Sequence, residues 1–342
     1  MRTDDFNYPL PEALIAQRPA EPRDSSRLLV LDRRTGGIQH KVFRDLPECL
    51  RPGDCLVLND TRVLRARLQG KKLPTGGSVE FFLLRPAGAS VWECLVRPAK
   101  RLRAGAKAVF RGGLTGTIIE ELEGGRRLVE WVPHGGGGLG AALEGAGDVP
   151  LPPYIRVALP DGERYQTIYA RTEGSAAAPT AGLHFTAATF RSLADRGVRT
   201  AQLTLHIGLD TFRPVETEAV EDHTIHRESY AVSEETAACL NQAREAGGRL
   251  VAVGTTCVRT LETIVDADGR FQAGSGWTSL FIYPGHAFRA VDAMVTNFHL
   301  PRSSLLMLVS AFAGREKVQA AYATAVAEGY RFYSFGDAMF IH

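Results

Sequence analysis

The pattern of apolar residues changes abruptly between residues 63 and 149, and this change limits the possible folds. Within that stretch, short apolar runs are separated by Gly and Pro turns with little helical periodicity. Such runs are typical of an all-β unit, here a small barrel. On both sides of it, strand-like and helix-like segments alternate, which is typical of an α/β unit. We therefore predict a large α/β domain formed by residues 1–62 and 150–342, with an inserted, barrel-like all-β domain at 63–149.

Length and composition are consistent with two folding units. The chain has 342 residues, and single cores rarely grow beyond about 250 residues. It is 44% hydrophobic and 23% charged, which favours a globular protein over a disordered one. No apolar run reaches the roughly 18 residues that a membrane helix needs, and residues 1–10 carry acids and a proline where a signal peptide is apolar. We expect a cytoplasmic protein with no membrane partner and reduced cysteines.

Individual elements can be predicted inside both domains. In the inserted domain the strand-like runs are 79–84, 91–96, 108–110, 116–119 and 128–132. The stretch 135–147 holds seven glycines in thirteen residues, which predicts a mobile loop. In the α/β domain, a helix capped by Thr186, a strand at 280–283 and a buried helix at 305–312 are predicted.

Positive charge is concentrated in one part of the chain. Residues 61–111 contain 12 Lys and Arg but only two acids, a balance of +10, whereas the remaining residues (28 Lys and Arg, 36 acids) carry −8. A solvated surface explains single basic residues but not the near absence of acids. The segment thus indicates either a polyanion-binding face or an unusually basic solvated surface.

Four short polar clusters follow apolar, strand-like runs. They occupy residues 59–62, 206–212, 254–259 and 296–299. Sites in α/β proteins form at the carboxyl ends of strands, although turns are polar for structural reasons as well. In the third cluster, Gly254-Thr255-Thr256 between a strand and a helix has the form of an anion-binding helix start, or of an ordinary threonine N-cap. The phosphate-binding, dinucleotide-binding and hydrolase-elbow glycine motifs are absent, which argues against those chemistries.

At these clusters the sequence resembles one family, the S-adenosylmethionine:tRNA ribosyltransferase-isomerases of queuosine biosynthesis. The matching segments include Asn59-Asp60-Thr61-Arg62, Leu151-Pro152-Pro153-Tyr154-Ile155, Ala177-Ala178-Pro179-Thr180-Ala181-Gly182-Leu183-His184-Phe185, Val253-Gly254-Thr255-Thr256, Thr296-Asn297-Phe298-His299-Leu300-Pro301, and Tyr330-Arg331-Phe332 with Gly336-Asp337-Ala338. Such ordered matches extend along the whole chain. The sequence departs from the family at Asp210, where glycine is usual, and this carboxylate would change local charge and backbone freedom.

The resemblance implies an enzyme that transfers and isomerises the ribosyl group of S-adenosylmethionine onto the 7-aminomethyl-7-deazaguanine wobble base of tRNA. The products would be epoxyqueuosine-tRNA, adenine and methionine. S-adenosylmethionine would be a co-substrate, with no true cofactor and no metal. The family's fold, an α/β domain carrying a β-barrel, agrees with the domains predicted above.

The resemblance, combined with the chemistry of the reaction, also suggests site residues. The reaction needs a base near neutral pKa, so His206 is our first choice, followed by His184 and His299, with Asp60 and Asp337 as supporting carboxylates. For the donor we expect Asn59, Arg62, Thr255, Thr256, Arg259 and Asn297. For tRNA we expect phosphate contacts from Lys71, Lys72, Arg97, Lys100, Arg101 and Arg103, and base stacking on Phe185 or Phe298.

Two other functions fit part of the sequence. An S-adenosylmethionine-dependent RNA methyltransferase would share the donor and the polyanion but would release S-adenosylhomocysteine. A non-catalytic RNA-binding protein would explain the basic segment but leave the polar clusters unused. In the favoured interpretation the partners are the anticodon stem-loop of tRNA and S-adenosylmethionine, and the protein is a monomer.

Overall fold

The computed structural model describes residues 1–136, 138–208 and 215–342. Asp210 and Thr211, from the polar cluster at 206–212, lie outside the described residues, as does Gly137 of the glycine-rich stretch. Contacts between Cα atoms divide the chain into two units, Met1–Arg62 with Pro152–His342, and Val63–Leu151. No helix in the described ranges is long and apolar enough to cross a membrane.

The described residues contain strands and helices in both units. The strands are β1 (Arg27–Leu31), β2 (Ile38–Val42), β3 (Cys55–Asn59), β4 (Thr61–Val63), β5 (Arg67–Leu73), β6 (Ser78–Pro86), β7 (Val91–Arg97), β8 (Lys107–Phe110), β9 (Thr115–Glu121), β10 (Arg126–Val132), β11 (Gly147–Asp148), β12 (Thr172–Ser175), β13 (Arg199–Leu205), β14 (Glu228–Val232), β15 (Leu250–Val253), β16 (Gly274–Thr278), β17 (Ala293–Asn297) and β18 (Ala338–Ile341). The α-helices are α1 (Leu46–Cys49), α2 (Leu139–Ala146), α3 (Ala187–Asp195), α4 (Glu234–Glu245), α5 (Thr255–Ile264), α6 (Ser304–Ala313) and α7 (Arg315–Ala327).

One mixed sheet of nine strands organises the larger unit. Its order is β16-β14-β13-β3-β15-β17-β18-β1-β2. β3 is parallel to both β13 and β15, and β15 is parallel to β17. Because neighbouring parallel strands end on the same side of a sheet, the carboxyl ends of these four strands lie together. β18 is antiparallel to β17, so its amino end lies on that side too.

Alternating residues of the central strands fill two separate apolar layers. Val57 of β3 belongs to a cluster with Val258 of α5 and Met307 of α6, whereas Leu58 belongs to a second cluster with Leu193 of α3. Successive side chains of a strand point to opposite faces, so a strand covered on both faces must be apolar throughout. This explains why the continuous run at 55–58 forms the middle of the sheet.

Hydroxyl side chains cap two helix starts in this unit. Thr186 Oγ1 accepts the Thr189 N–H at 3.1 Å at the start of α3. Ser303 Oγ accepts the Leu306 N–H at 3.2 Å at the start of α6. Both bonds satisfy backbone donors that a helix leaves unpaired in its first turn. The capped helix after Thr186 and the buried helix at 305–312 are therefore confirmed.

The smaller unit is a closed antiparallel barrel of six strands. The pairing runs β5-β6-β7-β10-β9-β8 and returns to β5, and β11 adds to β5. Phe81, Phe110 and Trp131 meet inside, with ring centroids 5.0 to 5.9 Å apart. Closure removes the exposed strand edges that an open sheet would leave. The α/β fold with an added small barrel is therefore confirmed.

Two predicted elements are wrong. Part of the expected loop at 135–147 is helix α2, where burial of Leu143 and Ala146 offsets the helix cost of Gly140 and Gly145, about 1 kcal/mol each relative to Ala. The predicted strand at 280–283 is irregular, and the strand lies earlier, at β16. There the chain pairs with β14 despite its polar and glycine-rich sequence.

Candidate functional site

A cavity of about 660 Å³ opens in the larger unit beside the ends of β15 and β17. Its walls are lined by Tyr154, Ala178, Pro179, Thr180, Ala181, Ile207, Gly254, Thr255, Thr256, Thr296, Asn297, Phe298, His299, Leu300, Ser303, Leu305, Tyr333 and Ser334. Among these described residues there is no Asp, Glu, Lys or Arg. The cavity therefore offers hydroxyls, amides, one imidazole and two phenol rings to a ligand.

The amino end of α5 forms one wall of the cavity. Gly254 precedes the helix with φ 88°, and its N–H donates to the Val295 carbonyl of β17 at 2.7 Å. Thr255 and Thr256 follow in the first turn and are both more than nine-tenths buried. Thr256 Oγ1 has no hydrogen-bond partner in the described part of the chain. A helix start with a free hydroxyl is suited to an anion, because unpaired N–H groups and the helix dipole favour negative charge.

Arg259, predicted to bind the same anion, lies elsewhere. Its guanidinium is buried, forms an ion pair with Glu228, and donates from Nε to the Leu280 carbonyl at 3.0 Å. Its Nη2 has no partner among the described residues, yet Arg259 does not line the cavity. A carboxylate already balances its charge. The structure therefore gives no support to Arg259 as a donor-binding residue.

Asn297 connects the cavity wall to a buried histidine. Its Oδ1 accepts a hydrogen bond from Thr180 Oγ1 at 3.0 Å, and its Nδ2 donates to His184 Nε2 at 3.2 Å. With Nε2 accepting, the ring proton lies on Nδ1, which is 2.8 Å from Ser26 Oγ. Burial, together with the nearby charges of Arg331 and Arg23, lowers the pKa of His184 to about 3. His184 is therefore a neutral positioning residue behind the wall, not a group that faces a ligand.

His299 is the one histidine among the lining residues. Its Nε2 lies 2.7 Å from Thr296 Oγ1, and its backbone N–H donates to the Tyr322 hydroxyl at 2.9 Å. Its carbonyl accepts from the Tyr8 hydroxyl at 2.5 Å. Desolvation lowers the pKa of the ring to about 3. The imidazole is therefore held in place and neutral at pH 7, and its pKa lies below the near-neutral range expected for a general base.

His206, the first choice from sequence, does not line the cavity. Its Nδ1 lies 2.8 Å from Thr61 Oγ1. Its ring also packs against Gly174, where an added Cβ atom would come within 2.7 Å of the imidazole. The ring is half-buried, and desolvation lowers its pKa while Asp60 acts in the opposite sense. The following residue, Ile207, lines the cavity instead.

Two residues of the first polar cluster hold strands together. Asn59 donates from Nδ2 to the Leu205 carbonyl and accepts the Leu205 N–H, both at 3.0 Å. Asp60 is buried, accepts from Thr204 Oγ1 at 2.6 Å, and forms an ion pair with Arg171 at 2.8 Å. Their polar atoms are already engaged. Neither residue lines the cavity, so their expected ligand contacts are not seen.

Arg62 and Asp337 have similar structural roles. Arg62 forms an ion pair with Glu163 at 2.5 Å. Asp337 accepts the backbone N–H groups of Arg27 at 3.0 Å and Arg331 at 2.8 Å. It thereby connects the start of β1 to the turn before β18. Neither side chain lines the cavity.

The two expected stacking platforms are buried in the core. Phe185 is fully buried and packs edge-on against Phe43. The ring of Phe298, also fully buried, packs among aromatic side chains that include Tyr322 and Phe332. Neither ring has a free face for a base, so this expectation needs correction.

Sequence reasoning assigned no role to the two tyrosines of the cavity. Tyr154 and Tyr333 have ring centroids 4.8 Å apart at an interplanar angle of 52°. Tyr333 has φ 70°, a backbone conformation that costs a bulky residue about 1–3 kcal/mol. Both residues lie in or beside segments that match the family. Their clustering depends on the fold, so the sequence contains no local signal for it.

The basic residues of the barrel unit surround a groove of about 1400 Å³ that includes Lys71, Arg97 and Arg111. Glu80 also lines it, but Arg67 forms an ion pair with that carboxylate at 2.7 Å. Lys100, Arg101 and Arg103 are exposed on the same unit, whereas Lys72 is half-buried and donates to the Arg101 carbonyl at 2.6 Å. The groove therefore has a positive surface that is suited to phosphates.

Comparisons with known proteins agree with this architecture. A family model described as "Queuosine biosynthesis protein" matches residues 3–341. An S-adenosylmethionine:tRNA ribosyltransferase-isomerase from Symbiobacterium thermophilum is 57% identical, and one from Moorella thermoacetica 55%, over the full length of both chains in each case. The crystal structure of S-adenosylmethionine tRNA ribosyltransferase from Thermotoga maritima superposes with a TM-score of 0.58 at 40% identity, over 99% of this chain and 100% of that one. This chain belongs to the queuosine biosynthesis protein family.

Proposed function

We propose that this chain is an enzyme that transfers and isomerises the ribosyl group of S-adenosylmethionine onto the 7-aminomethyl-7-deazaguanine wobble base of tRNA. The observation that carries the proposal is identity above 50% over the whole length of relatives that bear this enzyme name. S-adenosylmethionine enters the reaction as a substrate. Adenine, methionine and epoxyqueuosine-tRNA are the products.

The donor binds in the cavity, with its carboxylate at the amino end of α5. The support for this orientation is the buried Thr256 hydroxyl, which has no partner in the described chain, beside the backbone N–H groups of the first helical turn. Thr255 adds a second hydroxyl to the same wall.

His299 is the general base of the proposed mechanism. The sulfonium makes the hydrogens on ribosyl carbon 5′ acidic, and His299 takes one of these protons. The electrons of the 5′ carbanion form a C4′–C5′ double bond and break the ring C4′–O4′ bond, O4′ becomes the oxygen of an aldehyde at C1′, and adenine leaves with the electrons of its glycosidic bond and gains a proton. The amine of the tRNA base adds to C4′ of this vinyl sulfonium and loses a proton, and the carbanion formed at C5′ bonds to the aldehyde carbon. The resulting alkoxide closes the epoxide at C5′, which breaks the carbon–sulfur bond and releases methionine. His299 is preferred to His206 because it lines the cavity and has a ring orientation fixed by Thr296. Its pKa of about 3 is lower than the near-neutral value expected for the base, so the proton transfer also depends on the acidity that the sulfonium gives to carbon 5′.

The basic groove of the barrel binds the phosphates of the anticodon stem-loop. Lys71, Arg97 and Arg111 line it, and exposed cations of this kind interact with a nucleic acid backbone without reading its sequence. We further infer that the enzyme works as a monomer in the cytoplasm, where its tRNA substrate would be found. Light scattering of the purified protein would check the monomer.

Mass spectrometry of one reaction tests the function. Purified protein is incubated with S-adenosylmethionine and tRNA that carries the aminomethyl-deazaguanine base. We expect adenine, methionine and a ribosyl-derived mass gain on the tRNA. S-adenosylhomocysteine with methylated tRNA would instead indicate a methyltransferase, and tight tRNA binding without products would indicate a binding protein.

A further inference from the structure

Two tyrosines form a corner in the wall of the cavity. Tyr154 and Tyr333 both line it, with ring centroids 4.8 Å apart and planes inclined at 52°. The Tyr154 hydroxyl lies 2.7 Å from Ser334 Oγ, which fixes the phenol ring from its polar end. The corner is therefore made of two aromatic rings in defined positions.

The backbone conformation of Tyr333 is unfavourable but strongly constrained. Its φ of 70° lies in the left-handed region, which bulky residues rarely adopt. Its N–H donates to the Phe298 carbonyl at 3.1 Å, and its carbonyl accepts from the Gly336 N–H at 2.9 Å and from Asn297 Nδ2 at 3.3 Å. Gly336 has no room for a side chain, since a Cβ would come within 2.5 Å of the Arg331 carbonyl. Strain that several contacts maintain beside a cavity is a reason to look for a function.

The charge of the donor suggests that function. A sulfonium is a cation that has no N–H or O–H group, so hydrogen-bond acceptors satisfy it poorly. No acidic side chain is found among the described residues that line the cavity. The faces of aromatic rings attract cations through the ring quadrupole, and more strongly when water is excluded. Aromatic faces also stabilise the sulfonium without placing a full negative charge next to the proton that must leave.

We propose that Tyr154 and Tyr333 bind the sulfonium of S-adenosylmethionine by cation–π interactions and so select the charged donor over neutral thioethers. This inference rests on the donor assignment made under the proposed function. It also gives a reason for product release, because the methionine formed in the reaction has a neutral sulfur. The corner would therefore bind the donor more tightly than the sulfur product.

The test compares two ligands that differ in this charge. S-adenosylmethionine and S-adenosylhomocysteine share the adenosine and the carboxylate, but only the first is a sulfonium. We expect Tyr154→Leu to raise the Kd of S-adenosylmethionine about 5- to 30-fold by calorimetry, with the Kd of S-adenosylhomocysteine changed less than about 2-fold. Tyr154→Phe keeps the ring face and should leave both values within about 2-fold.

Tyr333→Asn provides an independent variant, because asparagine tolerates the left-handed conformation. It should show the same selective loss, and circular dichroism would establish that it folds. Equal losses for both ligands, or no loss, would overturn the aromatic corner while leaving the donor assignment intact. If the wild-type protein binds neither ligand, the donor assignment fails and the corner fails with it.

Discussion

Replacing Thr256 by valine separates a ligand contact from a contribution to folding. Thr256 Oγ1 is buried and has no partner in the described chain. A hydrogen bond from this hydroxyl to the donor carboxylate would contribute about 1.5–3 kcal/mol, as hydrogen bonds to charged groups do. Thr256→Val keeps the shape of the side chain and removes the hydroxyl. We therefore expect the Kd of S-adenosylmethionine to rise about 10- to 150-fold.

The same substitution should stabilise the ligand-free protein. A buried hydroxyl without a partner costs about 1–3 kcal/mol of folding free energy, and valine does not incur that cost. We expect the free energy of unfolding to rise by about 1 kcal/mol in urea denaturation. Weaker binding together with higher stability is an unusual combination, which a general disturbance of the site would not produce.

Thr260→Val is the matched control on the same helix. Thr260 is fully buried, donates from Oγ1 to the Thr256 carbonyl at 3.0 Å, and does not line the cavity. Its valine variant should lose stability and keep its donor affinity. A decarboxylated donor analogue should bind wild type and Thr256→Val equally. If Thr256→Val binds S-adenosylmethionine as tightly as wild type does, the carboxylate position at α5 is wrong.

Three further predictions concern the histidines and the barrel. His299→Gln should lower kcat about 10²- to 10⁴-fold in the adenine-release assay while donor affinity stays within about 2-fold; a normal rate would refute the base assignment. The pKa of His184 is about 3 when folded and about 6.5 when unfolded, so below pH 6.5 the unfolded chain binds a proton that the folded one does not. The contribution of neutral His184 to the free energy of unfolding is therefore lost as the pH falls from 6.5 to 3, by up to about 1.4 kcal/mol per pH unit. His184→Gln should make the free energy of unfolding, measured by urea denaturation, depend less on pH in this range. An unchanged pH dependence would contradict the assignment of His184 as neutral. The double variant Lys71→Ser/Arg97→Ser should reduce the slope of log affinity for tRNA against log salt concentration by about two. Arg191→Ser, which removes an exposed arginine on α3, serves as the control and should not change this slope. Equal changes of slope in the double variant and the control would exclude a specific phosphate-binding groove.

The fold was predictable where apolar residues determine it. The run at 55–58 becomes β3 with every residue buried, and five strand-like runs become barrel strands. The remaining barrel strand, β5, was missed because its sequence, RLQGKKL, is mostly polar. Its pairing with β6 and β8 closes the barrel. Such a strand is defined by its neighbours more than by its own residues.

The candidate site was predictable in position but less so in detail. Thr255 and Thr256 were expected at a strand end and do line the cavity. Arg259 lies one helical turn later, about 5 Å further along the axis, where Glu228 pairs with it. These two residues are 31 positions apart in sequence. No local pattern in the sequence predicts that pairing.

The charged residues of the polar clusters show why charge was a poor guide to this cavity. Asp60, Arg62 and Asp337 each form an ion pair with a residue of the same unit. Burying an unpaired charge is costly, so a charge near a strand end is commonly balanced by a partner that also fixes the surrounding loops. The described walls of the cavity consist instead of neutral groups. A donor that carries both a carboxylate and a sulfonium brings its own charges, and a neutral wall with a helix start for the anion and aromatic rings for the cation can accommodate both.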